Sequence, residues 1–303
     1  MFIRTVLGDI DPADFGPCLP HEHLLGQPPP HLGTPDLQLT DLDAAIREVE
    51  AFQAVGGQAV VEMTTPDYGR DAAGLRRIAE ATGMYIVAAT GYNKETFSAP
   101  FLTGASVAEL AERYVREVEV GMDGTDGRAG LIKASTMTTM TTHGLTMLQA
   151  AAEAHHRTGA PISTHTEKGT LGVEQARTLI DAGVPPEHIV IGHTDHQLDW
   201  GYHAELAATG VFLGIDQIGK AKYAPDAERI AFILHHLDAG HGDQLLLSGD
   251  LARRSYWTAY GGGPGFGYIL SAFASSLRTA GLSDAMLERL FTTNPARAFT
   301  FAR

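Results

Sequence analysis

His188-Ile189-Val190-Ile191-Gly192-His193 is a short apolar run closing on a histidine, and Pro161-Ile162-Ser163-Thr164-His165 repeats the construction. Continuous apolar runs of this length, without polar alternation, are what a strand covered on both faces requires. Similar runs occupy 58–63, 85–90, 130–133, 211–215 and 244–248. Between them lie helical patterns. Leu42, Ala45, Ile46 and Val49 share one face, with Thr40 and Asp43 at its start and Gly56-Gly57 at its end. Leu75, Ile78 and Ala79 share another, and Ser106 with Glu109 forms a capping box before Val107, Leu110, Ala111, Tyr114 and Val118. Further helical stretches cover 145–156 and 226–237.

The first strand is Leu19-Pro20-His21-Glu22-His23-Leu24-Leu25. Side chains at i and i+2 of a strand project to the same side, so His21 and His23 point together and Glu22 faces away. Two converging imidazoles make half of a metal site, whereas a hydrogen-bonded pair in a wet turn after Pro20 would leave them unrelated to later residues. Counting this strand, eight strand–helix units fit in 303 residues, about 38 each, which is the scale of a (β/α)8 TIM barrel. The expected fold is one α/β domain, residues 1–303, with a short N-terminal extension. That extension reads as a lid or plug, with Asp11 as N-cap and Pro12 opening a short helix. A doubly wound sheet is the rival architecture, but no Gly-x-Gly-x-x-Gly follows an early strand.

Composition narrows the function classes. A hydrophobic content of 44% with 19% charged residues and mean hydropathy of −0.06 describe a water-soluble globular chain without a membrane-spanning run. Met1-Phe2-Ile3-Arg4-Thr5 carries no secretory signal, and Cys18 is the single cysteine, which excludes an internal disulfide or cysteine-rich zinc module. The expected compartment is the cytoplasm. A net charge of −14 excludes nucleic acid and anionic membrane as general partners, leaving a small molecule.

In an α/β barrel, functional groups gather at the C-terminal ends of the strands. The unusual polar residues of this chain fall there: His21 and His23, Lys133, His165, His193, and Asp250 just after the eighth strand. Core packing does not produce four histidines and an aspartate recurring at strand ends. Nitrogen and oxygen donors of this kind suit zinc, manganese, cobalt or iron. Lys133 in an apolar strand either pairs with a buried carboxylate or shifts toward the neutral amine. The other ten histidines, including His155, His156, His235 and His236, read as surface residues.

Together with Thr5-Val6-Leu7-Gly8, Gly69-Arg70-Asp71, Ala89-Thr90-Gly91-Tyr92, Ile132-Lys133, Thr164-His165-Thr166, Ile191-Gly192-His193 and Asn294-Pro295, these residues resemble the phosphotriesterase family of the amidohydrolase superfamily. The resemblance spans nearly the whole chain in the family's order. It implies a carboxylated Lys133 whose carbamate bridges two divalent metals, His21, His23 and Asp250 holding the more buried ion, and His165 and His193 the more exposed one. It also implies a bridging hydroxide as nucleophile, Asp250 as its proton acceptor, Tyr92 near the leaving oxygen, and a homodimer.

The late loops bear on the substrate. Lys220 and Lys222 follow the seventh strand, and Arg253 and Arg254 follow Asp250; these two loops are the recurrent phosphate site of α/β barrels. A solvated basic rim is the other reading. The pattern resembles the branch of the family that opens phosphorylated sugar lactones, with Lys222 and Arg253 the best positional matches. The segment Ser248 to Gly265, rich in glycine at Gly261-Gly262-Gly263-Pro264-Gly265, departs from organophosphate-degrading members and argues against strong triesterase activity. The function expected first is a metal-dependent lactonase for a phosphorylated aldonolactone. A triesterase or N-acyl amide hydrolase on the same site comes second, and a non-catalytic metal-binding protein third.

Overall fold

The computed structural model describes residues 1–32 and 34–302; the expected domain end at Arg303 lies outside them. Eight barrel strands follow one another: β1 (Cys18–Glu22), β2 (Ala59–Glu62), β3 (Tyr85–Gly91), β4 (Leu131–Thr136), β5 (Ile162–Thr166), β6 (Ile189–Gly192), β7 (Phe212–Ile215) and β8 (Leu245–Leu247). Each pairs in parallel with the next, with helices between, so the architecture is the expected (β/α)8 barrel. Wherever a strand is apolar on both faces, one face fills the interior and the other meets helices, as in the cluster of Val60, Ile86, Ile132, Ile162 and Ile191 with Leu75, Leu110 and Leu148.

Side chains complete the seam between β8 and β1. His21 N donates to Ser248 Oγ at 3.2 Å, and Asp250 N donates to His21 O at 3.1 Å. The buried Glu22 carboxylate accepts from Gly249 N at 2.8 Å and Leu251 N at 2.7 Å. Glu22 thus faces away from its neighbouring histidines, as the strand alternation requires, and sets Asp250 beside His21.

The N-terminal extension is a plug and not a lid. Its strands Ile3–Thr5 and Gly8–Ile10 form an antiparallel hairpin, and Ile3 and Phe15 pack with Cys18, Ala59, Val87, Leu131, Val190 and Phe299 at the strand starts. The Phe2 and Phe301 rings stack with centroids 4.6 Å apart, and the Arg4 guanidinium lies beside the pair, 5.0 and 4.9 Å from the two ring centres. The N-terminal end of the barrel is therefore stoppered, and the opposite mouth is left for chemistry.

Local details refine the sequence reading. Asp41, not Thr40, caps the first helix, α1 (Leu42–Gln53), because its carboxylate accepts from Ala44 N at 3.0 Å. Strand β4 continues past Lys133 to Thr136, so Lys133 sits inside the strand and not at its end. Gly91 permits the close approach there: its backbone is left-handed (φ +94°) and a Cβ would fall 2.0 Å from Lys133 O. His155 and His236 are buried at 4% and 0% exposure, contrary to the surface placement expected. His155 Nδ1 contacts Ala160 O at 2.8 Å and His236 Nε2 contacts His203 Nδ1 at 3.0 Å, which gives each buried imidazole a polar partner on one nitrogen. Among the described residues no helix is long and apolar enough to cross a membrane.

Candidate metal centre

At the C-terminal mouth the strands bring His21, His193 and Asp250 together, with one donor atom of each within 4.8 Å of the others. His23 joins them, its Nε2 3.3 Å from Asp250 Oδ1. The rings of His165 and His193 stand edge to face at 4.6 Å between centroids. Lys133 is buried beneath, with Nζ donating to Met63 O at 3.1 Å.

Each imidazole has one nitrogen secured by an outer oxygen. Asp216 takes His193 Nδ1 at 2.7 Å and His21 Nδ1 at 3.2 Å. His23 Nδ1 meets Thr64 Oγ1 at 2.8 Å, and His165 Nε2 meets Glu167 Oε2 at 3.1 Å. Holding one nitrogen in this way fixes the ring's tautomer and leaves the other lone pair to bind a cation. His21 Nε2 is buried with no hydrogen-bond partner among the described residues, a costly state for a polar atom in a protein interior unless an ion completes it. The donor set therefore fits a divalent metal.

The backbone is strained at the same place. His193 and Asp250 have left-handed φ of 59° and 47°, uncommon for residues with a side chain and found where surrounding contacts over-determine the geometry. For His193 those contacts are its N–H on both Asp216 oxygens, at 3.1 and 3.0 Å. Asp216 is in turn placed by Asp195, which accepts from Asp216 N at 3.1 Å and from the buried Arg229 Nε at 2.7 Å.

Electrostatics favour metal-binding protonation states at His21, His23, His165 and Asp250. Burial depresses His21, His23 to about 4 and His165 to about 3, so these rings are neutral. Burial also pulls at His193, but the Asp216 carboxylate outweighs it and raises that ring. Burial acts to raise Asp250, yet the Lys220 ammonium and the His23 contact hold it well below the usual carboxylate range. Burial lowers Lys133 against the pull of Asp250, Asp67 and Glu62.

A cavity of about 510 Å³ opens above this centre, bordered by His23, Lys133, His165, His193 and Asp250 and by Lys220, Lys222, Arg253 and Tyr256. Two expected site residues lie elsewhere. Tyr92, after the turn at Gly91, is buried against Phe101 and Tyr114 and its hydroxyl accepts from Arg113 Nη1; it does not border the cavity. Arg254 is drawn off by Gln38 O and the Tyr260 ring, 5.2 Å away. Sequence reasoning did not single out Asp216, nor Gln217, His196, Lys94 and Glu167, which also border the cavity. Asp216 stands one residue past β7, where the strand-end rule would have found it.

Convergent histidines and an aspartate at the C-terminal mouth of a (β/α)8 barrel are the layout of a metal-dependent hydrolase. The chain belongs to the Phosphotriesterase family, whose model it matches over residues 1–299, and it is a hydrolase. It is 32% identical to the phospho-furanose lactonase of Mycoplasmopsis synoviae, over 99% of this chain and 92% of that protein. Its fold superimposes on the crystal structure of the lactonase Lmo2620 from Listeria monocytogenes with a TM-score of 0.96 and 36% identity, covering 100% of both chains. The phosphotriesterase homology protein from Escherichia coli, solved with phosphate in its active site, gives 0.92 and 34%, covering 95% of this chain and 99% of that one.

Proposed function

We propose that this chain is a two-metal lactonase that opens a phosphorylated sugar lactone of the aldonolactone type. His21, His23 and Asp250 would hold the deeper ion, His165 and His193 the outer one, and a carboxylated Lys133 both; zinc suits these donors best, with manganese, cobalt or iron as alternatives. When bound, two divalent ions would bring the pKa of a shared water toward about 7 and polarise the lactone carbonyl. The depressed ammonium of Lys133 favours the neutral amine, whose lone pair can add to carbon dioxide with loss of a proton. Asp250 accepts the proton of the attacking water and returns it to the ring oxygen as the acyl carbon–oxygen bond breaks. Neither step asks anything of Tyr92, which is sequestered by Arg113.

The observation that carries the substrate reading is that Lys222 and Arg253 border the same cavity as the metal donors in a chain of net charge −14. Asp36 steadies the Arg253 guanidinium at 3.3 Å, and the Lys222 ammonium rests 4.6 and 5.4 Å from the Tyr223 and Tyr256 ring centres. Binding a phosphate remote from the carbonyl lets its energy be spent on orienting the reacting bond. Arg253→Ala should lower kcat/KM for a phosphorylated lactone by about 10²-fold, since a charge-assisted contact is worth roughly 1.5–3 kcal/mol. Activity on the unphosphorylated lactone should fall far less. Equal losses on both substrates would show the basic cluster to be a solvated rim.

A further inference from the structure

Lys220 and Lys222 lie two residues apart on one loop of the cavity, but their ammonium groups have different surroundings. Lys222 is exposed, with the Tyr223 and Tyr256 rings beside it. Lys220 is buried at 5% exposure. The turn that sends it inward is pinned by Gly219 N on the Asp226 carboxylate, at 3.0 and 3.2 Å, and by Lys220 N on Gln217 O at 3.2 Å.

An ammonium has three donors, and three acceptors surround this one. Lys220 Nζ donates to Gln217 Oε1 at 2.9 Å, to Asp250 Oδ2 at 2.9 Å, and to the main-chain oxygen of Asp250. The group therefore has no donor to spare for a ligand in the cavity. Two of its three bonds go to one residue, whose left-handed backbone needs external contacts to persist. Lys220 holds the carbonyl of Asp250 and His21 O holds its N–H.

The same bonds divide the carboxylate. Oδ2 takes Lys220 and Gln217 Nε2, the latter at 3.1 Å, while Oδ1 is turned to His23 Nε2 at 3.3 Å and His21 Nε2 at 3.8 Å. Gln217 extends the frame, its Nε2 also donating to Asp216 Oδ1 at 3.2 Å. We infer that Lys220 is a positioning residue that fixes Asp250 with Oδ1 toward the histidine donors, and that recognition of the substrate's anionic group rests on Lys222 and Arg253 without it. This assignment builds on the lactonase reading and removes Lys220 from the substrate-binding set expected from the sequence.

The test compares Lys220→Met and Lys222→Met in zinc-loaded full-length protein. Kinetics are measured on a phosphorylated and a plain lactone, and calorimetry measures binding of inorganic phosphate. A misplaced catalytic group costs about 10²-fold, so Lys220→Met should lose about that much kcat on both lactones, with KM within about threefold and phosphate affinity within about twofold of wild type. Lys222→Met should instead raise KM for the phosphorylated lactone and weaken phosphate about tenfold, the scale of one charge-assisted contact. A melting curve checks the fold of each variant. If Lys220→Met does not fold, Lys220→Arg, which keeps the charge but cannot place one nitrogen against three acceptors, should show the same kcat loss in smaller measure. The inference is overturned if Lys220 variants weaken phosphate tenfold, raise KM only for the phosphorylated lactone, or leave kcat on the plain lactone unchanged. A wild-type enzyme indifferent to phosphate would sink the substrate reading alone, since the plain-lactone arm still decides the role of Lys220.

Discussion

Asparagine at position 216 would change one atom of the carboxylate that orients two imidazoles proposed to bind metal. Asp216 Oδ1 accepts from His193 Nδ1 at 2.7 Å, and Oδ2 faces His21 Nδ1 at 3.2 Å. An amide keeps the size but replaces one acceptor with an NH₂. Facing an Nδ1–H, that donor forces the ring to turn away or to move its proton to Nε2, the nitrogen that must stay bare to bind metal. Removing one outer partner of a metal-binding histidine typically costs about 10–100-fold in affinity. Because Asp216 serves two rings, Asp216→Asn should sit at the upper end, about 100-fold or roughly 2.7 kcal/mol. Zinc affinity is read by competition with a chelating dye, and the melting temperature of the metal-free protein reports separately on the Asp216 bonds to the main chain of His193. Zinc affinity within threefold of wild type would refute the claim that Asp216 sets the tautomers of His21 and His193.

Asp250→Asn should keep the fold and lose about 10²–10⁴-fold in kcat, the usual range for a missing general base; a kcat within a few-fold of wild type would remove Asp250 from proton transfer. His236 offers a pH test away from the cavity. Burial, with His203, His241 and His235 facing it, depresses it from 6.5 to about 3, and Trp200 and Phe232 complete its surroundings. A histidine whose folded pKa is depressed contributes its full stability above 6.5 and loses it as pH falls toward the folded value. The stability gap between wild type and His236→Leu should therefore shrink from pH 6.5 to 5 by at most about 2 kcal/mol. A gap that is the same at both pH values in thermal melts would contradict the buried, neutral assignment.

How far these features could be read in advance follows from what each depends on. The strands were legible because stretches such as 189–191 and 245–247 are apolar runs bounded by breaks, and period-two geometry alone put His21 and His23 on one side. What depends on packing between elements was not legible. His236 and His155 have helical neighbours that look solvated in sequence, and only the approach of His203 and of Ala160 O shows their burial. Tyr92 follows a strand as a site residue should, but the left-handed turn at Gly91 and the Arg113 donor take it out of the cavity. Lys220 and Arg254 looked equivalent to Lys222 and Arg253 because charge is all a sequence displays. The seam at Glu22 and Ser248 joins residues more than two hundred positions apart, which no local pattern encodes.

The most direct measurement of the central claim is a side-by-side determination of kcat/KM for the zinc-loaded enzyme, prepared with bicarbonate, on four substrates. These are a phosphorylated aldonolactone, the same lactone without phosphate, an organophosphate triester and an N-acyl amino acid. A phosphate contact worth roughly 1.5–3 kcal/mol predicts that the phosphorylated lactone exceeds its plain counterpart by about 10²-fold and that both outrun the triester and the amide. Equal rates on the two lactones, or a triester or amide turned over fastest, would contradict the account.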